Sequence, residues 1–109
     1  MAVKANLVVD QGSDFQKTVT LKNVDGTVFD LTGYTGYAQM RKSYGSTTAT
    51  NFSVSITSAA GGQLSLGLSH TVTANITAGR YVYDVEVEKN SARKRVLEGI
   101  LTVTPGVTQ

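Results

Sequence analysis

The sequence predicts an all-β fold, two antiparallel sheets packed face to face, made of seven or eight short strands with one short helical turn. Three observations predict it. Gly79 to Glu88 alternates almost without fault, with Tyr81, Tyr83, Val85 and Val87 on one side and Arg80, Asp84, Glu86 and Glu88 on the other. That period of two belongs to a half-buried antiparallel strand. The alternation returns in Phe52, Val54 and Ile56 and in Leu64, Leu66 and Leu68. Turn residues interrupt these runs at Gln11-Gly12, Asp25-Gly26, Thr32-Gly33 and Ala59-Ala-Gly-Gly62, the spacing of a sandwich or barrel. With 109 residues the chain is sized for a single domain over 1–109.

Leu7-Val-Val-Asp10 reads as the first strand. Asp14 to Lys22 is the second, with Phe15, Val19 and Leu21 inward and Gln16, Thr18, Thr20 and Lys22 outward. Lys17 interrupts the inward set, so its end belongs at the sheet margin, where a lysine stem reaches water. Asn23-Val-Asp-Gly26 is a turn, because Asp-Gly suits positive φ and Asn and Asp bond their own backbone. Thr27 to Leu31 is expected to be a short strand. Tyr34 to Lys42 follows, with Tyr34, Gly36, Ala38 and Met40 on one face and Thr35, Tyr37, Gln39 and Arg41 on the other.

Ser43 to Thr50 is small, polar and irregular, and Tyr44 at its centre is well placed to touch a partner. The strands through Phe52 and Leu64 flank the Ala59–Gly62 turn. His70 to Thr77 suits neither a long strand nor a long helix, and one helical turn over Val72 to Ile76 is expected to cross between sheets. The strand from Gly79 comes next, then a four- or five-residue hairpin loop near Asn90. A last strand runs from Arg93 to Thr104, and Pro105, lacking a donor, stops it. Gly79-Arg-Tyr81 after a helical turn has the pattern of a tyrosine corner. The fold class is therefore an immunoglobulin-like β-sandwich, with a small Greek-key barrel as the alternative.

Two registers compete in the last hairpin. One pairs Val85 with Leu97, Tyr83 with Gly99, Tyr81 with Leu101 and Val82 with Ile100. Sliding by one residue pairs Glu88 with Arg93 and Glu86 with Arg95, but sets Glu98 opposite the core residue Tyr83. A buried unpaired carboxylate costs several kcal/mol, whereas exposed ion pairs return about 0.2–1 kcal/mol. The first register is expected, and it leaves Val82, Val96 and Ile100 as an outward apolar patch, a candidate interface.

Chemistry is sparse. Cysteine is absent, which excludes disulfides, thiol catalysis and zinc–thiolate sites. His70 is the one histidine, with no carboxylate near it in sequence; the fold could bring Asp10 or Asp30 to it. No nucleophile elbow, phosphate loop or dinucleotide signature occurs, so no enzyme is expected. Asp84, Glu86 and Glu88 lie about 6–7 Å apart along the strand, too far to share one cation comfortably. No apolar run approaches the length of a membrane helix. Ten Lys and Arg against eight Asp and Glu make a weak field, and the run Arg93-Lys94-Arg95 reads as a solvated hairpin end.

The chain resembles a family of small tailed-bacteriophage virion proteins. The resemblance runs through Asn6-Leu-Val-Val-Asp-Gln-Gly12, Asp30-Leu-Thr-Gly-Tyr34, Ala38-Gln-Met-Arg41, Gly79-Arg-Tyr-Val-Tyr-Asp84 and Glu98-Gly-Ile-Leu-Thr-Val-Thr-Pro105, with Asp-Leu-Thr-Gly-Tyr the most distinctive. It is also similar to the N-terminal immunoglobulin-like domain of phage baseplate upper proteins, which attaches receptor-binding parts to the tail. The resemblance implies a non-enzymatic virion structural protein made in the host cytoplasm, with no cofactor and no membrane. Its partners would be other virion proteins and further copies of itself, without specific nucleic-acid binding. Unlike baseplate upper proteins, the sequence shows no coiled coil or receptor-binding region after the sandwich. Tail or baseplate is the first expectation, with a neck or capsid decoration subunit close behind. The alternative is an adhesin-like module that binds host-surface glycan through Tyr37 and Tyr44. A third class, nucleic-acid binding through Arg93 to Arg95, would show a steep loss of affinity with salt.

Overall fold

A computed structural model describes residues 3–23, 25–43, 45–46 and 49–106, of which nine stretches are strands and one is a short helix. In chain order the strands are β1 (Val3–Lys4), β2 (Leu7–Asp10), β3 (Phe15–Thr20), β4 (Thr35–Arg41), β5 (Ala49–Asn51), β6 (Ser53–Ser58), β7 (Gln63–Leu68), β8 (Gly79–Lys89) and β9 (Ala92–Thr104). The helix α1 (His70–Ala74) lies between β7 and β8. The larger sheet runs β1-β9-β8-β4-β5, with β2 continuing β1 along the same edge of β9. The smaller sheet runs β3-β7-β6. This is an all-β immunoglobulin-like sandwich, antiparallel throughout except where β1 and β2 lie parallel to β9.

The alternating residues meet between the sheets. Met40, Val85, Val87, Leu101 and Val103 from the larger sheet and Leu64 and Leu66 from the smaller one are almost fully buried. Each such side chain contributes about 1.5–3 kcal/mol by leaving water. Gly36 brings β4 close to β6, since a Cβ there would lie 2.6 Å from the Val54 Cγ1. Lys17 is exposed opposite Leu66, as its break in the alternation implied.

The crossing between sheets is built from side-chain bonds. Ser69 caps α1 by accepting the Val72 N–H, which starts the helix at His70, two residues before the expected turn. Thr73 is fully buried; its hydroxyl donates to the Ser13 carbonyl at 2.8 Å and accepts the Gly12 N–H at 3.1 Å. Downstream, the Tyr81 hydroxyl donates to the Thr77 carbonyl at 2.6 Å, closing the tyrosine corner.

Four local expectations are corrected. Thr27 to Leu31 is not a strand: its ladder is a single Lys22–Val28 bridge, and Asp25 and Asp30 bend the chain by accepting the Thr27 and Thr32 N–H groups. The segment after Ser43 is not irregular throughout, because Ala49–Asn51 pairs with β4. The last hairpin turns on two residues rather than four or five, with Asn90 and Ser91 both at positive φ (52° and 67°). That geometry suits the right-handed twist of two paired strands.

The fourth correction concerns register. Val85 pairs with Leu97, Tyr83 with Gly99, Tyr81 with Leu101 and Val82 with Ile100, as expected. Glu86 nevertheless pairs with Arg95 and Glu88 with Arg93, the pairs of the rejected alternative. A bulge at Val96 reconciles the two by inserting one unpaired residue between them. Both Val96 and Leu97 are thereby buried, at 7% and 4% exposure. Val96 is not part of an outward patch.

Candidate functional site

The outer face of the larger sheet gathers most of the side chains singled out in the sequence. Strand β4 presents Tyr37, Gln39 and Arg41, because its partners Ala38 and Met40 are held in the core. Strand β8 presents Val82, Asp84, Glu86 and Glu88, and β9 presents Arg93, Arg95, Glu98, Ile100 and Thr102. The bulge matters here. It lets the same two strands place tyrosines against the core at one end and oppose acids to arginines at the other.

Ion pairs cross the hairpin. The Arg93 Nη2 lies 2.6 Å from the Glu88 Oε1, and its Nη1 lies 3.4 Å from the Glu86 Oε1. The same guanidinium covers the Tyr37 ring at 4.5 Å. The Arg95 Nε is 3.2 Å from the Asp84 Oδ2 and its Nη1 is 3.9 Å from the Glu98 Oε1. Partial burial pushes the Asp84 carboxyl above its usual range, and the neighbouring Glu86 adds to the effect; Arg95 opposes both. Gln39 donates to the Asn51 Oδ1 at 2.7 Å, and Arg41 donates to the Ser46 carbonyl at 2.8 Å. Two open depressions of about 370 and 400 Å³ lie on this face, meeting at Gln39, Asp84, Glu86 and Arg93.

Of the five candidate interface residues, three stand on this face. Tyr37 is 43% exposed, Ile100 is 42% exposed, and Val82 is half-buried beside Ile100. Val96 lies on the core side, and Tyr44 falls outside the described residues. The sequence reading missed Val8, which is 62% exposed. Parallel pairing opposite Thr102 turns Val8 outward while Leu7 and Val9 enter the core. Three apolar residues in a row, Leu7-Val-Val9, carry no alternation that could have revealed it. The apolar patch is therefore Val8, Ile100 and Val82.

His70 finds a carboxylate other than those expected. Its Nδ1 lies 2.9 Å from the Asp14 Oδ1, which also accepts the His70 N–H at 2.7 Å. Asp10 instead accepts the Thr104 hydroxyl, and Asp30 accepts from Thr32. The bonds from His70 hold the Asp14 carboxyl below its ordinary value. Both side chains are mostly exposed, and no hydroxyl is bonded to the ring among the described residues. The pair fastens α1 to the start of β3.

No protein-family model matches the chain, and no curated protein matches it. Among solved structures the chain is similar to InlP of Listeria monocytogenes, at 9% identity and a TM-score of 0.50, over 94% of this chain and 28% of that one. It is similar also to a family 123 glycoside hydrolase from Clostridium perfringens, at 12% identity and a TM-score of 0.44, over 97% of this chain and 23% of that one. The likeness to InlP is one of fold. The chain spans about a quarter of the length of either protein.

Among the described residues no three His, Asp or Glu side chains converge as metal ligands. The acidic row is met by arginines across the hairpin, which leaves an open, shallowly indented surface of paired charges beside an apolar strip. Such a surface can bind by shape and charge.

Proposed function

We propose that this chain is a non-enzymatic structural protein of a tailed-phage particle, assembling through surface contacts in the tail or baseplate, or as a neck or capsid decoration subunit. The observation that carries the reading is the strip of Val8, Ile100 and Val82 on the outer face of the larger sheet. Single exposed hydrophobic residues are ordinary, but neighbouring ones on a regular sheet mark contact surfaces. The sequence resemblance supports the particle as the setting. Asp30-Leu-Thr-Gly-Tyr34, its most distinctive element, has a structural role: Leu31 is 1% exposed, Asp30 caps the turn, and Tyr34 packs on Phe29 with ring centroids 5.4 Å apart.

Mass spectrometry of purified particles should find the chain at a fixed copy number. Particles complemented with Ile100→Asp should contain several-fold less of it, while the isolated variant keeps its fold. Absence of the chain from particles, or unchanged incorporation of the variant, overturns the reading. Tyr37 favours a second reading, as a glycan-binding module: its exposed ring borders a depression edged by Gln39, Asn51 and Glu86. Tyr37→Ala would then abolish cell binding and leave particles intact.

A further inference from the structure

We propose that the outer face of the larger sheet is a contact between two copies of this chain, packed face to face about a two-fold axis that crosses the strands at Val82 and Ile100. The proposal rests on the structural reading above and names the partner. An axis lying between the two sheets, at right angles to the strands, sets β8 on β8 and β9 on β9 with their directions reversed. Val82 and Ile100 then meet their own counterparts, and Val8, two residues from the axis, lies over the row of the partner's Lys4. Arg80 meets the partner's Asp84, and symmetry makes that pair twice.

The charges fit this operation. Four carboxylates, Asp84, Glu86, Glu88 and Glu98, are bonded by the two guanidiniums of Arg93 and Arg95. Burial and crowding by Glu86 and Glu98 already push the Asp84 carboxyl up. On the far side of the apolar row, Arg80 is exposed and has no hydrogen bond or ion pair among the described residues. Spare cation and crowded anion therefore lie on opposite sides of one row, and a second copy supplies both complements at once. Arg41, which shares that row, would meet its own counterpart; it is drawn aside onto the Ser46 carbonyl at 2.8 Å and the Gln39 Oε1 at 3.2 Å. β4 ends at Arg41 opposite Val82 and β5 pairs only with that end of β4, so both lie on one side of the axis. The overlap is β8, β9 and the β1–β2 edge. Three strands about 4.8 Å apart, with rows of about six residues, give roughly 300 Å² of face. That falls well below the ~800 Å² per partner of a standard interface, so the dimer is weak, with a dissociation constant of about 0.1–1 mM.

Sedimentation equilibrium of the full chain tests the proposal. Wild type should dimerise in that range. Arg80→Glu and Asp84→Lys should each weaken the dimer at least about tenfold, since two attractions become repulsions. An equimolar mixture of the two should dimerise nearly as well as wild type, because the reversed charges then face each other. Should Asp84→Lys fail to fold, Arg80→Glu and Ile100→Asp, both at exposed positions, carry the test alone. A monomeric wild type, variants that dimerise normally, or a folded mixture that stays monomeric overturns the proposal. If the wild type is monomeric yet Ile100→Asp still blocks incorporation into particles, the face serves another particle component. The self-contact then fails while the structural reading stands.

Discussion

Gly99 shows how one residue positions a whole segment. The chain between β1 and β2 lies so close to it that an added Cβ would sit 1.9 Å from the Ala5 carbonyl oxygen. The same oxygen accepts the Tyr83 hydroxyl at 2.5 Å, while the Ala5 N–H donates to Glu98. Burial pushes the Tyr83 phenol up to about 12, so it stays a donor at any ordinary pH. Gly99→Ala should therefore displace residues 3–6 and cost about 2–4 kcal/mol, measured by urea unfolding. The aspartates make a second prediction at this scale. Hydrogen bonds from His70, Thr27 and Thr32 lower the carboxyls of Asp14, Asp25 and Asp30 respectively, below the ordinary 3.8. A lowered carboxyl adds stability that is present above its unfolded value and lost as pH falls through the folded one. Asp84 is raised, so its contribution is greatest below the ordinary value and disappears as pH rises through the folded one. A carboxyl NMR titration should show Asp84 ionising last of the four. If Asp84 ionises along with the rest, its burial beside Glu86 and Glu98 is wrong.

At the scale of the element, the bulge at Val96 decides the most. Strict alternation has no symbol for an extra residue, so the sequence offered two registers where the strand uses each over part of its length. A trace of it was present as the adjacent apolar pair Val96-Leu97, but Ile100-Leu101 in the same strand is another such pair and carries no bulge. Alternation places Val96 and Ile100 on the same outer side; the structure separates them. Val96→Asp should cost more than about 3 kcal/mol by burying an unpaired carboxylate. Ile100→Asp should cost about 0.5 kcal/mol or less, as exposed substitutions do. Thermal unfolding of the two purified variants distinguishes them, and equal losses would count against the bulge. Strands β3, β4, β6, β7 and β8 were legible because apolar residues alternate with polar ones or glycine along most of each. β5 was not, since Ala49-Thr-Asn51 is too short and polar to alternate. Thr27 to Leu31 misled for the opposite reason, because its alternation comes from an arc tied by side-chain bonds.

Across the whole molecule, the sandwich was readable because Leu64, Leu66, Tyr83, Val85 and Val87 state the core plainly. The exposed face was half readable. Tyr37, Val82 and Ile100 follow from alternation, while Val8 depends on a parallel pairing that no local pattern encodes. That same pairing determines how the protein should bear load. β1 and β2 lie beside residues 97–104 of β9, pointing the same way. A pull applied at residue 3 and residue 106 therefore drags the two ladders past each other lengthwise. Their hydrogen bonds are loaded in shear and must give way together, where an antiparallel terminal pair would open one bond at a time. A subunit tethered at those two points would resist tension along the axis joining them, and would do so through the N-terminal segment that Gly99 admits.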